Sequence, residues 1–311
     1  MTILPDQKII SLLPAATEIV CALGLEHLLV GRSHECDYPA SIINLPVCST
    51  AKFLPGSDSK EIDRQVKEIL SESLSIYTID RDLIKSLAPD VIITQAQCEV
   101  CAVSLKDVEQ VLKDLLEKDC RIISLQPNGL DDVYKDIQVI ADQLGVENAG
   151  AELLELSEER INIIRHKLKF ITEKPTVACI EWLSPLMIAG NWTPEIIEIG
   201  GGIPVLTVAG KHSSYINFQD ILNADPDIIV IMPCGFSIQR TLQEIGLLLD
   251  LPGWAGLKAV KAQRVFIVDG NQYFNRSGPR MTDSIEIMAE IINPKQFIFG
   301  YEGDGWVHFK V

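Results

Sequence analysis

Several classes of function are excluded by what this chain lacks. It carries 27 Lys and Arg against 43 Asp and Glu, a formal net charge of -16, and no block of basic residues stands out. Nucleic-acid binding needs a clustered basic surface to meet phosphate, so that class is set aside. No apolar run approaches the ~18 residues of a membrane-spanning helix, and membrane insertion is not expected. The opening residues, Met1 to Lys8, show no basic start, apolar stretch or small-residue cleavage site of an export signal. Taken as it stands, this beginning predicts a cytoplasmic protein whose eight cysteines are reduced thiols. There is no Gly-x-Ser-x-Gly elbow and no nucleotide-binding glycine loop. Gly200-Gly-Gly202 follows a predicted helix and reads as its C-terminal cap.

What is present is an internal repeat. Asp82-Leu-Ile-Lys-Ser-Leu-Ala-Pro-Asp-Val-Ile-Ile-Thr94 returns as Asp220-Ile-Leu-Asn-Ala-Asp-Pro-Asp-Ile-Ile-Val-Ile-Met232. Each copy predicts a short helix, a Pro-Asp turn and a continuous apolar strand. A basic residue opens a further run in each half, Arg121-Ile-Ile-Ser-Leu125 and Arg264-Val-Phe-Ile-Val268. Continuous apolar runs are strands covered on both faces, as in parallel α/β sheets. With 311 residues, 47% of them apolar, the chain can bury two cores. The expected fold is therefore α/β: two Rossmann-like lobes with mainly parallel sheets, at 1–147 and 175–311. Leu154, Ile161, Ile164, Leu168 and Ile171 share one helical face, which predicts a long bridging helix within 148–174, stopped by Pro175. A ligand cleft is expected between the lobes.

In open parallel sheets ligands sit at the carboxyl ends of strands. The unusual residues fall there: Pro14, then His34-Glu35-Cys36-Asp37, then Gln97, Cys98 and Cys101. The second half adds Trp182, Asn191, Trp192, Cys234 and the run Tyr273-Phe274-Asn275-Arg276. Trp182, Trp192, Tyr273 and Phe274 lie among Gly, Asn and Pro and would stack on a flat ligand. Arg276 would meet an amide or carboxylate rim of that ligand by fork-like hydrogen bonds. Cys98 and Cys101 stand before a predicted helix N-terminus, which favours thiolate. With Cys36 and His34 they form a candidate ligand set for zinc or iron, beside the plainer reading of unliganded thiols and a loop histidine bonded to Asp37. Cys21, Cys120 and Cys179 read as small core residues.

These residues carry a resemblance. Ser11-Leu-Leu-Pro-Ala-Ala-Thr-Glu18, Val30-Gly-Arg-Ser-His-Glu-Cys-Asp-Tyr-Pro39 and the two Pro-Asp turns are similar to motifs of the substrate-binding proteins of cobalamin and iron–siderophore ABC importers. The likeness spans nearly the whole chain, and Gln272-Tyr-Phe-Asn-Arg276-Ser-Gly-Pro-Arg280 resembles the loop that faces the corrinoid in the cobalamin branch. The His-Glu-Cys-Asp-Tyr-Pro and Cys-Glu-Val-Cys strings look most like cytoplasmic-looking cobalamin-binding proteins. The resemblance implies a non-catalytic, monomeric binding protein for a corrinoid or related metal chelate such as an iron-siderophore, with no required cofactor. It also implies an ABC permease or a ligand-using enzyme as partner, and docking through one acidic residue per lobe, matched here by Asp82 and Glu198. The alternative is a cytoplasmic metal-binding or thiol-dependent enzyme using Cys36, Cys98 and Cys101 on the same scaffold.

Overall fold

The computed structural model describes residues 7–72, 76–95 and 120–310; Gln97, Cys98, Cys101 and the helix expected at Ser104–Lys118 lie outside them. Contacts divide the chain into two units. The first comprises Met1–Ser57, Glu61–Pro127 and Asp131–Glu155, and the second Asp58–Lys60, Asn128–Leu130 and Leu156–Val311.

The first unit is built on β1 (Ile9–Ser11), β2 (Leu29–Arg32), β3 (Ser49–Ala51), β4 (Tyr77–Ile79), β5 (Val91–Gln95) and β6 (Arg121–Leu125). Four of these form an all-parallel sheet in the order β2-β1-β5-β6, while β3 and β4 make a separate antiparallel pair. Side chains alternate across a strand. Ile9, Val91 and Ile93 accordingly enter one apolar cluster, while Ile10 and Ile92 enter another on the opposite face. Burial on both faces is why these strands read as unbroken apolar runs. The helices are α1 (Pro14–Ala22), α2 (Ser59–Glu72), α3 (Arg81–Leu87), α4 (Leu130–Leu144) and α5 (Glu147–Leu168). The first-unit boundary falls inside α5, after Glu155. This helix ends at Leu168, before the expected stop at Pro175, because Lys169 and Ile171 fold back onto His166 and Leu168 in tight turns.

The second unit contains β7 (Thr176–Trp182), β8 (Met187–Ile188), β9 (Ile203–Pro204), β10 (Ser214–Tyr215), β11 (Ile228–Ile231), β12 (Val265–Val268) and β13 (Trp306–Phe309). Its seven-stranded sheet follows β10-β8-β7-β11-β12-β13, with β9 on β7. The centre is parallel; the β8, β10 and β13 pairings are antiparallel. Its helices are α6 (Thr193–Ile199), α7 (Phe218–Ala224), α8 (Ile238–Glu244), α9 (Gly246–Leu249), α10 (Lys258–Lys261) and α11 (Met281–Ile292). α8 and α9 follow one another closely, divided at Ile245, ahead of Gly246. Gly201 has φ +93 and its N–H bonds the Glu198 carbonyl, the glycine cap expected after α6.

The repeated sentence in the sequence folds twice into one device. Asp80 caps α3 by accepting the Leu83 N–H, and a reciprocal Asn217–Asp220 box starts α7. Both helices stop at a left-handed residue, Ala88 (φ 47) and Asp225 (φ 39), and then turn through Pro-Asp into β5 and β11. The Asp of each turn accepts a backbone N–H beside the unit's first strand: Lys8 to Asp90 Oδ2 at 2.8 Å, Thr176 to Asp227 Oδ2 at 2.9 Å.

The C-terminal tail, which the sequence did not place, becomes β13 on β12. Arg160 of α5 binds Glu286 and Asp283 of α11, and Tyr301 donates to Glu286 at 2.8 Å. Glu290 receives the N–H groups of Phe299 and Gly300 and the Trp306 indole. Acids of α11 therefore organise the tail.

Candidate functional site

In the first unit the rim begins where Pro14 opens α1 directly after β1. Thr17, one turn on, donates to Ser11 Oγ at 2.8 Å, and its hydroxyl oxygen lies 3.0 Å from the Cys36 sulfur. Cys36 is buried, and burial pushes its thiol up to about 11. The loop after β2 is held from below by buried Arg32, which donates to the carbonyls of Ser33, Cys36 and Ile43 at 3.1, 3.0 and 2.7 Å. His34 and Glu35 stay half-buried on that loop and Asp37 is exposed. His34 Nδ1 lies 2.9 Å from Ser49 Oγ and its ring packs 5.1 Å from Tyr77, whose hydroxyl donates to Glu35 at 2.9 Å. Burial, reinforced by Arg32, lowers the His34 pKa, so the ring is held neutral.

Two members of the expected metal set, Cys36 and His34, have partners within the protein. Cys36 points into the core onto Thr17, and His34 is engaged by Ser49. Among the described residues no group of three or more His, Cys, Asp or Glu side chains is placed to hold a metal ion. Cys98 and Cys101 lie outside the described residues.

In the second unit the rim gathers at the ends of β7, β11 and β12. Trp182 closes β7, donates its indole N–H to the Ser59 carbonyl at 3.1 Å, and packs 5.2 Å from Phe236, over which Arg240 lies at 4.5 Å. Cys234, exposed, follows β11. After β12, buried Asp269 accepts the N–H groups of Asn271 and Gln272 at 3.0 and 2.8 Å, curling the chain into a turn. Asn275 then donates to the carbonyls of Met232 and Gly270 at 3.2 and 2.9 Å, joining the β11 and β12 loops. Gly270 is required at this junction: a Cβ there would collide with the Pro233 carbonyl.

Two of the four aromatics expected to stack on a ligand are core residues. Trp192 donates its indole N–H to the Phe274 carbonyl at 2.6 Å, and Phe274 is 1% exposed. A ring enclosed on all sides presents no face to a ligand; packing against α11 takes priority, with the Phe274 N–H bonded to Ser284. Trp182 and Tyr273 remain half-buried, and Arg280 lies 5.4 Å over the Tyr273 ring. Arg276, expected at the ligand, is 7% exposed and donates to Asn271 Oδ1 at 3.1 Å, so it braces the loop. Asn191 adopts φ 49 and its Oδ1 is buried without a hydrogen-bond partner among the described residues. Nearby, Glu181 accepts from Ser213 at 2.6 Å, and desolvation raises its pKa against that bond. Asp82 and Glu198 are exposed on α3 and α6. The residues that sequence reasoning missed are Arg32, Tyr77 and Arg240. Only Arg32 left a signal, as a cation at a strand end beside a polar loop.

Two sheets with parallel cores, each carrying its polar and aromatic residues at the strand ends, define a binding scaffold. The chain belongs to the periplasmic binding protein family, whose sequence model matches residues 9–271. It is 26% identical over 301 residues to the uncharacterized ABC transporter substrate-binding lipoprotein YvrC of Bacillus subtilis, across 94% of this chain and 81% of that one. It shares 22% identity over 292 residues with the vitamin B12-binding protein of Vibrio cholerae serotype O1, across 91% and 87% of the two chains. The fold matches that of a periplasmic heme binding protein from Pseudomonas aeruginosa, with a TM-score of 0.71 at 18% identity, covering 93% of this chain and 94% of that one. The family resemblance read from Ser11–Glu18 and the Pro-Asp turns is thus established, and these relatives are binding proteins.

The expected cytoplasmic location is overturned by the same comparisons. A periplasmic family and a lipoprotein relative point outside the cytoplasm. The expectation leaned on the opening residues and on the cysteines, and neither reports the compartment of the folded core. Cys21, Cys36, Cys48 and Cys179 are free thiols. Burial raises the first three to about 12, 11 and 11, and also raises Cys179. Protonated thiols buried like Cys36, Cys48 and Cys179 resist oxidation whatever the compartment.

Proposed function

We propose that this protein is the substrate-binding component of an ABC-type importer, taking up a corrinoid, haem or related planar metal chelate without transforming it. The observation that carries this reading is the second-unit rim. There Trp182 and Tyr273 keep accessible ring surface while Ser59, Phe236 and Arg280 hold them in place. Fixed, half-open aromatic faces beside amide side chains suit a flat ligand edged with polar groups. Asp82 and Glu198, both exposed, are the proposed contacts to the permease.

A thiol-dependent enzyme finds no support in Cys36. A nucleophilic cysteine needs a lowered pKa, whereas burial pushes this one up. Titration of the purified protein with cyanocobalamin, cobinamide and haemin, followed by visible absorbance and calorimetry, tests the proposal. Binding of one of them at micromolar concentration or below is expected. Failure of all three would overturn it.

A further inference from the structure

On this acidic chain, four Lys and Arg residues stand against one acid between Arg165 and Lys174. The segment is the last turn of α5 and the stretch leading to β7. Arg165, Lys169 and Lys174, together with Glu198, line an open cavity of about 380 Å³ whose apolar lining includes Leu168 and Ile171. Cations at a helix C-terminus answer its dipole, which accounts for Arg165 and Lys167. Lys174 lies beyond the helix and outside that explanation.

The two most exposed large apolar side chains among the described residues are Ile298 at 91% and Phe170 at 82%. They are brought to one region by Lys167, which donates to the Gln296 carbonyl at 3.3 Å and lies 5.2 Å over the Phe297 ring. Lys169 lies 5.8 Å over the ring of Phe170. Projecting apolar tips ringed by long cationic side chains are the chemistry of a lipid–water interface, where the tips enter the acyl boundary and the cations meet phosphate.

We propose that this surface, formed by residues 165–174 and 294–300, docks on an anionic lipid bilayer. Phe170 and Ile298 enter the interface, and Lys169 and Lys174 face the phosphates. Charge selects the occupant: a patch with a cationic excess on a chain of net charge -16 is the part of it that an anionic bilayer attracts. The rest is repelled, so contact is confined to this face. The proposal is independent of the ligand reading above.

Flotation with vesicles of phosphatidylglycerol and phosphatidylcholine tests it. Binding to the mixed vesicles, weakened by salt and absent from pure phosphatidylcholine, is expected. The Phe170→Ser, Ile298→Ser double variant should lose at least tenfold in partitioning. Lys169→Glu with Lys174→Glu should lose more, since each cation near such a surface contributes roughly fivefold. Circular dichroism and thermal melts verify that the variants fold, and chelate titration reports separately on the ligand site. No binding to the anionic vesicles, equal binding to neutral ones, or full binding by both folded variants would overturn the proposal.

Discussion

Thr176 and Asp227 are joined three times over. The Thr176 N–H and hydroxyl both reach Asp227 Oδ2, at 2.9 and 2.8 Å, and the Asp227 N–H returns to the Thr176 hydroxyl at 2.9 Å. The clasp ties the Pro-Asp turn before β11 to the start of β7, its parallel neighbour. These bonds, with the backbone N–H first, hold the Asp227 carboxyl below its usual pKa.

A carboxylate lowered in the folded state stabilises fully above its unfolded pKa of about 4, and that stability is lost as pH falls through the folded value. Asp227→Ala should cost about 2 kcal/mol at pH 7, the worth of charge-assisted hydrogen bonds in a partly buried site. Urea denaturation across pH 2 to 7 checks this. The wild type should lose more stability than Asp227→Asn between about pH 4 and pH 2, and parallel curves would dismiss the clasp as an energetic contributor.

Asp136 on α4 has the opposite sign. Burial first, then repulsion from Asp132, raises its carboxyl to about 6, against a bond from the Gln126 N–H. Its Oδ2 is buried with no hydrogen-bond partner among the described residues. Between about pH 4 and pH 6 the folded state keeps a proton that the unfolded chain has released, so stability falls as pH rises through that window. Asp136→Asn should raise stability at pH 7 by roughly 1–2 kcal/mol and flatten the slope. A loss of stability at pH 7 in that variant would show that the carboxylate is stabilising after all.

Gly270 sets the spacing of the second-unit rim. A Cβ there would meet the Pro233 carbonyl carbon at 2.9 Å and the Met232 carbonyl carbon at 3.0 Å, both backbone atoms with no rotamer to change. Gly270→Ala should cost about 1–3 kcal/mol and displace the loop carrying Tyr273. Thermal melts and chelate titration should report both effects; wild-type values in each would show that the two loops yield freely.

Trp182 and Trp192 should separate in their consequences. Trp192→Phe removes the indole bond to the Phe274 carbonyl and leaves a void, and about 2 kcal/mol of stability should go with it. Trp182→Ala should instead lower chelate affinity at least tenfold, at a smaller stability cost, because its ring is half-buried. Calorimetric titration alongside denaturation distinguishes them, and equal ligand losses in the two variants would contradict the division made here.

The two-unit α/β organisation was legible before any coordinates because its signals are local. The apolar runs at Val91–Gln95 and Ile228–Ile231 need only their own side chains to announce two-faced burial. The Pro-Asp turns and the glycine cap after α6 are likewise set by the backbone preferences of a few adjacent residues. The tail was not legible: β13 takes its place by pairing with β12 and through the Trp306 indole on Glu290, contacts that no short window of sequence shows.

The rim was readable as a set of positions but not as a set of orientations. Strand ends can be located from periodicity. Whether a strand-end aromatic turns outward or inward depends on competition between neighbours: Ser284 of α11 takes the Phe274 N–H, and the Phe274 carbonyl in turn takes the Trp192 indole, so both rings are buried. Sequence alone determined the central strands and the repeated turns, since propensity and patterning act over a few residues. Tertiary structure alone decided which side chains face a ligand, because burial is set by what packs alongside, and those partners are distant in the chain.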